Sequence, residues 1–121
     1  DLHCLEVITG NDDAAVTHEG VRAAIARHDD LVGVYCVGGG VTGVAEALAE
    51  AGLGRSVVMI GHNFNAQTKP YLLSGVIDAV IHQDTALIAG RAMRALVEGV
   101  AGGHEAGVPI DIVTCENMMH R

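Results

Sequence analysis

The stretch "LVGVYCVGGGVTGVAEALAEAGL", Leu31 to Leu53, decides the fold. Its first seven residues, Leu31 to Val37, form a near-continuous apolar run without the alternation of a half-exposed strand, so they read as a buried parallel strand. Glycines follow, and then a helical pattern from about Val41 to Ala51, stopped by Gly52 and Gly54. Strand, tight loop and helix in that order make half of a βαβ unit.

Gly38, Gly40 and Gly43 spell G-x-G-x-x-G, the spacing of a dinucleotide fingerprint. Two features argue against NAD. The loop follows the second apparent strand rather than the first, and the next strand ends in His62-Asn63 instead of the carboxylate that would take the ribose hydroxyls. Two other readings of the loop stay open. Gly38, Gly39 and Gly40 permit a tight turn with positive φ, or the loop exposes backbone N–H groups at a helix N-terminus, where hydroxyls, carboxylates or phosphates dock.

The pattern extends in both directions. "LHCLEVI" (Leu2 to Ile8) reads as a strand ended by Gly10-Asn11-Asp12. Asp12 or Asp13 caps a helix carrying Thr17, Val21, Ala24 and Ile25 at helical spacing. "SVVMIGH" (Ser56 to His62) is a third strand, a short helix interrupted by Pro70 spans about Ala66 to Leu73, and "IDAVIHQ" (Ile77 to Gln83) is a fourth strand. Asp84 or Thr85 caps a helix through about Val97, a loop covers "GVAGGHEAG", and "VPIDIVTCE" (Val108 to Glu116) closes as a strand. The expected fold is therefore one Rossmann-like α/β unit with a three-layer parallel sheet over residues 1–121. Ligands of such sheets bind beyond the carboxyl ends of the strands, which selects Gly38–Gly40, His62–Asn65 and His82–Asp84.

Composition narrows the function. Two Tyr, one Phe and no Trp against an apolar half of the chain require a core of Ala, Val, Leu and Ile. A net charge of -8 argues against a grip on nucleic acid or an anionic membrane by this segment. No apolar stretch is long enough for a membrane span, and no signal peptide is evident. Cys4, Cys36 and Cys115 are odd in number and far apart, which fits a reducing cytoplasm, with Cys36 a small buried hydrophobe. His62 and His82 both end strands, but without H-x-x-x-H, H-E-x-x-H or C-x-x-C spacing they suggest no metal site. There is no G-x-S-x-G elbow, so no catalytic residue is assigned and the chain is not expected to be an enzyme. No cofactor is expected.

"LVGVYCVGGGVTGVAEALAEAGL", "SVVMIGHN", "IDAVIHQDTALIAGRAMRALVEG" and "PIDIVTCEN", in this order and spacing, resemble the LacI-type transcription regulators. The sensor domain of that family is similar to bacterial periplasmic sugar-binding proteins, with an effector held between two α/β lobes. The resemblance implies that this chain, opening at Asp1, is a piece of a longer protein: most of the C-terminal lobe of an effector-binding domain, with the helix at 85–97 packing against the other lobe. It implies a small sugar-like effector, operator DNA bound only through a separate helix-turn-helix, and a homo-oligomer. A periplasmic sugar-binding protein of a transporter is the alternative, and a nucleotide-binding domain of an enzyme is a weaker one.

Site residues follow from the same resemblance. Gln83 matches a hinge position that hydrogen-bonds a sugar hydroxyl, Asn63 the place of an Asp that binds two hydroxyls, and Gly38, with Gly39 beside it, a loop position commonly held by Asn. Phe64, the sole Phe, stacks on a sugar face or joins the core. Two bland alternatives stand beside these roles: Gln83 as a cap of the next helix, and Asn63 as the side chain of an Asx-turn in "HNFN".

Overall fold

The computed structural model describes residues 1–98 and 108–120; the loop read over 99–107 lies outside them. The elements are α1 (Ala14–Arg27), β1 (Gly33–Tyr35), α2 (Val41–Glu50), β2 (Val58–His62), α3 (Lys69–Ser74), β3 (Ala79–Gln83), α4 (Thr85–Glu98), β4 (Ile110–Val113) and a 3-10 turn at Met118–His120. The strands form one sheet in the order β1-β2-β3-β4. β1, β2 and β3 run parallel, as the alternation of elements predicts, whereas β4 pairs antiparallel to β3. The reversal lays Val113 beside Val80, and both are fully buried. A hydrophobic run specifies that it enters a sheet but not its direction, and an antiparallel edge on a parallel sheet is a common solution.

Pleating divides the sheet into two unlike faces. Val34, Met59, Gly61, Val80 and Val113 share the face that α2 covers, where a Cβ on Gly61 would meet the Val41 side chain at 2.8 Å. Leu48, Met59, Leu72, Ile77, Val44, Val80 and Val113 are the largest fully buried side chains of this core. The other face carries Tyr35, Val58, Ile60 and Ile112, all exposed. α4 adds exposed Met93, Leu96 and Val97. No described helix is long and apolar enough to cross a membrane.

Each helix begins where its sequence supplies a cap or tolerates the first turn. Asp13 accepts from the Val16 N–H at 2.9 Å at the start of α1, and Asp84 does the same for Leu87 at the start of α4. Pro70 sits in the first turn of α3, where the absent N–H is not needed, so that helix starts at Lys69 rather than near Ala66. Gly52, at φ 70°, ends α2 in the left-handed conformation. Between β2 and β3, Met59 N–H donates to Asp78 Oδ2 at 2.7 Å and Asp78 N–H donates to the Met59 carbonyl at 2.9 Å, which pins the register just ahead of β3.

Leu2 to Ile8 is not a strand. The segment pairs with nothing in the sheet and is exposed along its length. Asn11 and Asp12, both in the left-handed region, turn the chain into α1 and leave the Ile8 side chain against Gly20, across the helix rather than alongside β1. An apolar run acquires strand structure only with a partner for its N–H and C=O groups.

α1 and α2 touch through small residues. A Cβ on Gly43 would lie 2.0 Å from the Ala14 carbonyl oxygen, which is backbone and cannot swing away. Gly43→Ala is therefore expected to lower stability by about 3 kcal/mol in urea unfolding, whereas Gly90→Ala, in an α4 position with nothing within 4 Å, should raise it by about 0.5–1 kcal/mol.

Candidate ligand-binding site

The carboxyl ends of β1, β2 and β3 lie side by side along one end of the sheet, and the turn after β2 is densely hydrogen-bonded. Its first residue, Asn63, takes φ 67°, a conformation an asparagine adopts more readily than most residues. Its N–H donates to the Ile81 carbonyl at 3.0 Å, which continues the β2–β3 ladder one residue past the strand. From inside, the buried Thr68 hydroxyl donates to the Asn63 carbonyl at 2.8 Å and accepts from the Asn65 N–H at 3.1 Å.

The two expected alternatives for Asn63 and Gln83 are both taken by neighbours. The Asx-turn of "HNFN" is made by Asn65, whose Oδ1 accepts from Gln67 N–H at 2.9 Å and Thr68 N–H at 3.0 Å. The cap of α4 is Asp84. The side-chain amides of Asn63 and Gln83 are thus exposed and hydrogen-bonded to no described residue, at the ends of adjacent strands.

The glycine loop departs from the positive-φ reading. None of Gly38, Gly39 and Gly40 has a positive φ; among the described glycines only Gly52 and Gly75 do. The loop lacks side chains because Asp12 and Thr17 come too close. A Cβ on Gly38 would fall 2.2 Å from Asp12 Oδ1, and one on Gly40 would fall 2.2 Å from Thr17 Oγ1. The Gly39 N–H already donates to Asp12 Oδ1 at 2.6 Å. A carboxylate of the chain itself occupies the Gly39 amide ahead of this helix, where one of the two open readings placed a ligand's hydroxyl, carboxylate or phosphate. Gly38 and Gly39 border the strand end as a wall, with Gly39's donor engaged.

Phe64 is half-buried and packs against the core, with its ring edge-on to His82 at a centroid separation of 6.3 Å. Cys36, just after β1, is likewise half-buried against the core. Burial pushes its thiol up from the ordinary value, with the Asp12 charge adding to the rise and a weak contact to the Gly38 carbonyl opposing it. It is held as a thiol, the inert form.

Sequence reasoning leaves four residues of this site without the contacts the structure shows: Tyr35 is given no role, and His62, His82 and Asp12 are considered only as strand ends, metal candidates or a cap. Tyr35 and His62 end β1 and β2 on the uncovered face, with Tyr35 Oη 2.9 Å from His62 Nε2. His82 lies on the opposite face, since Ile81 is the register partner of His62, so the two imidazoles do not converge. Among the described residues no group of three or more His, Cys, Asp or Glu is placed to hold a metal. The fourth is Asp12, read only as a cap. Their common signal was position, as polar or aromatic residues ending apolar strands or opening a helix.

A family profile described as a periplasmic binding protein domain matches residues 1–104. The chain belongs to this family. No curated protein matches it. Solved structures similar to this periplasmic binding protein domain include an ABC transporter solute binding protein from Agrobacterium vitis with bound D-fucose, at TM-score 0.81 and 17% identity over 93% of this chain and 40% of that one. A second from Agrobacterium vitis, bound with alpha-D-tagatopyranose, aligns at TM-score 0.80 and 24% identity over 93% and 39%. A glucose-galactose binding protein from Geobacillus stearothermophilus aligns at 0.78 and 19% over 87% and 39%. The domain spans about two-fifths of the length of these proteins, and at such identities the likeness establishes the fold.

Because Asp12 is bonded and Gln83 is not, their removal should differ. Asp12→Ala is expected to cost about 2 kcal/mol of unfolding free energy, and Gln83→Ala less than about 0.5 kcal/mol, both read from urea denaturation.

Proposed function

We propose that this domain is half of a sugar receptor, holding a small carbohydrate between its strand ends and a second lobe. The observation that carries this reading is the pair of unengaged amides, Asn63 and Gln83, at adjacent strand ends. A carboxamide both donates and accepts, which matches a hydroxyl doing the same. The aligned sugar-binding and sugar-bound structures support a carbohydrate as the class of ligand. Asn63 in place of a carboxylate removes charge assistance, so affinity rests on neutral hydrogen bonds and apolar contact. The reading assigns no reaction to the chain.

Within it, a solute-binding protein of a sugar transporter is the form that the aligned structures favour. The LacI-type regulator form, cytoplasmic and joined to a DNA-binding domain, rests on the quoted sequence segments. In either form the ligand acts by binding the closed arrangement of lobes more tightly than the open one. The coding sequence on either side of this segment separates the two: a secretion signal supports transport, and a helix-turn-helix supports regulation.

The test of binding is calorimetry of the full-length protein with a panel of D-fucose, D-galactose, D-arabinose and D-tagatose. At least one should bind, and Asn63→Ala and Gln83→Ala should each weaken it about tenfold, the size of one lost hydrogen bond. Absence of binding across the panel, or affinity unchanged in both variants, overturns the reading.

The uncovered sheet face and the apolar side of α4 support burial against a further body, whether a second lobe or a second copy. The 121-residue chain on its own should therefore self-associate in light scattering; a monodisperse monomer would refute this.

A further inference from the structure

We propose that His82 is a positioning residue that, as a neutral imidazole, holds the Asn63–Asn65 turn in its binding conformation, so that its protonation releases the turn and weakens ligand binding. The proposal deepens the sugar-receptor reading and rests on it for the ligand.

The geometry is specific about which nitrogen does the work. Phe64 N–H donates to His82 Nδ1 at 3.3 Å, so Nδ1 carries the lone pair and Nε2 the proton. The Phe64 ring meets the imidazole edge-on from the same turn. On one side of Phe64 the backbone is tied by Asn63 N–H to the Ile81 carbonyl, and on the other by Asn65 N–H to Thr68 Oγ1. His82 therefore supplies the acceptor for the N–H between these two ties, next to the residue with φ 67°.

A proton taken from solvent onto Nδ1 turns this acceptor into a donor. Two N–H groups then face each other, and the Phe64 amide is left without a partner. Asn63, adjacent and already in a sparsely populated conformation, loses the contact that fixes its neighbour. Among the described residues, the titratable groups nearest in register and sequence are Asp111, the partner of His82 on β4, and Asp84, two positions on at the α4 cap. His62 on β2 lies near the strand end but on the other face.

The experiment is NMR of the 15N-labelled full-length protein from about pH 8 to 5, with wild type, His82→Asn and His82→Leu. Asn places an acceptor oxygen near the Nδ1 position and cannot be protonated. In wild type the His82 ring should be in the Nε2–H form at the alkaline end, and the Phe64 amide shift should move with the same midpoint as the ring. In His82→Asn the Phe64 amide should hold its alkaline position throughout. In His82→Leu it should stand at the acid position at every pH. A Phe64 amide that ignores the ring titration, or one that titrates equally in His82→Asn, overturns the proposal.

Calorimetry with D-fucose supplies the functional arm. Wild-type affinity should fall about tenfold across that range, the loss expected of one broken hydrogen bond, and His82→Asn should be flat. An unchanged wild-type affinity overturns the link to binding. If D-fucose and the rest of the panel bind at no pH while the NMR coupling holds, the turn is positioned as described and the sugar reading is what fails.

Discussion

The contact between α1 and α2 is the constraint on which the rest of the structure depends. Gly43 leaves room for the Ala14 carbonyl at a distance where no side chain fits, and Ala45 and Ala47 are buried on the same helix. With the two helices this close, the turn before α1 reaches the loop before α2. That approach explains Asp12 on the Gly39 amide and Thr17 against Gly40. The glycine loop is thus shaped by packing inside the chain, and the anion that its helix N-terminus favours is already present.

The same economy of space orders the strand ends. Thin layers of Val, Ala, Leu and Ile bring α2 close to the sheet, and Val41 occupies the volume a side chain on Gly61 would need. The β2 strand then ends in a turn braced from within by Thr68 and across from β3 by Ile81 and His82. Every bracing group in this turn is engaged, while Asn63 and Gln83 are left with open amides. Rigid support beneath unspent hydrogen-bonding groups is what a binding surface requires.

How much was legible depended on whether the signal was local. β2, β3, α1, α2 and α4 were readable because apolar runs, aspartate caps and terminal glycines act within a few residues. Leu2 to Ile8 was misread because its apolar run is as strand-like as that of β3, and only the absence of a ladder partner separates them. β4 was located but not oriented, since hydrophobicity carries no direction. Asn63 and Gln83 could be nominated from the family pattern, yet their freedom was visible only once Asn65 and Asp84 were seen in the competing roles.

The sequence by itself determined the class of fold and the order of its elements from α1 onward. These follow from periodicity, capping and the connectivity of parallel strands, all properties of neighbours along the chain. Tertiary structure alone decided that the glycine loop bonds Asp12, that His62 and His82 point to opposite faces, and that the His82 ring accepts from the Phe64 amide. Those outcomes depend on distances between residues 18 to 27 positions apart in sequence, and such distances are set by how helices pack on the sheet.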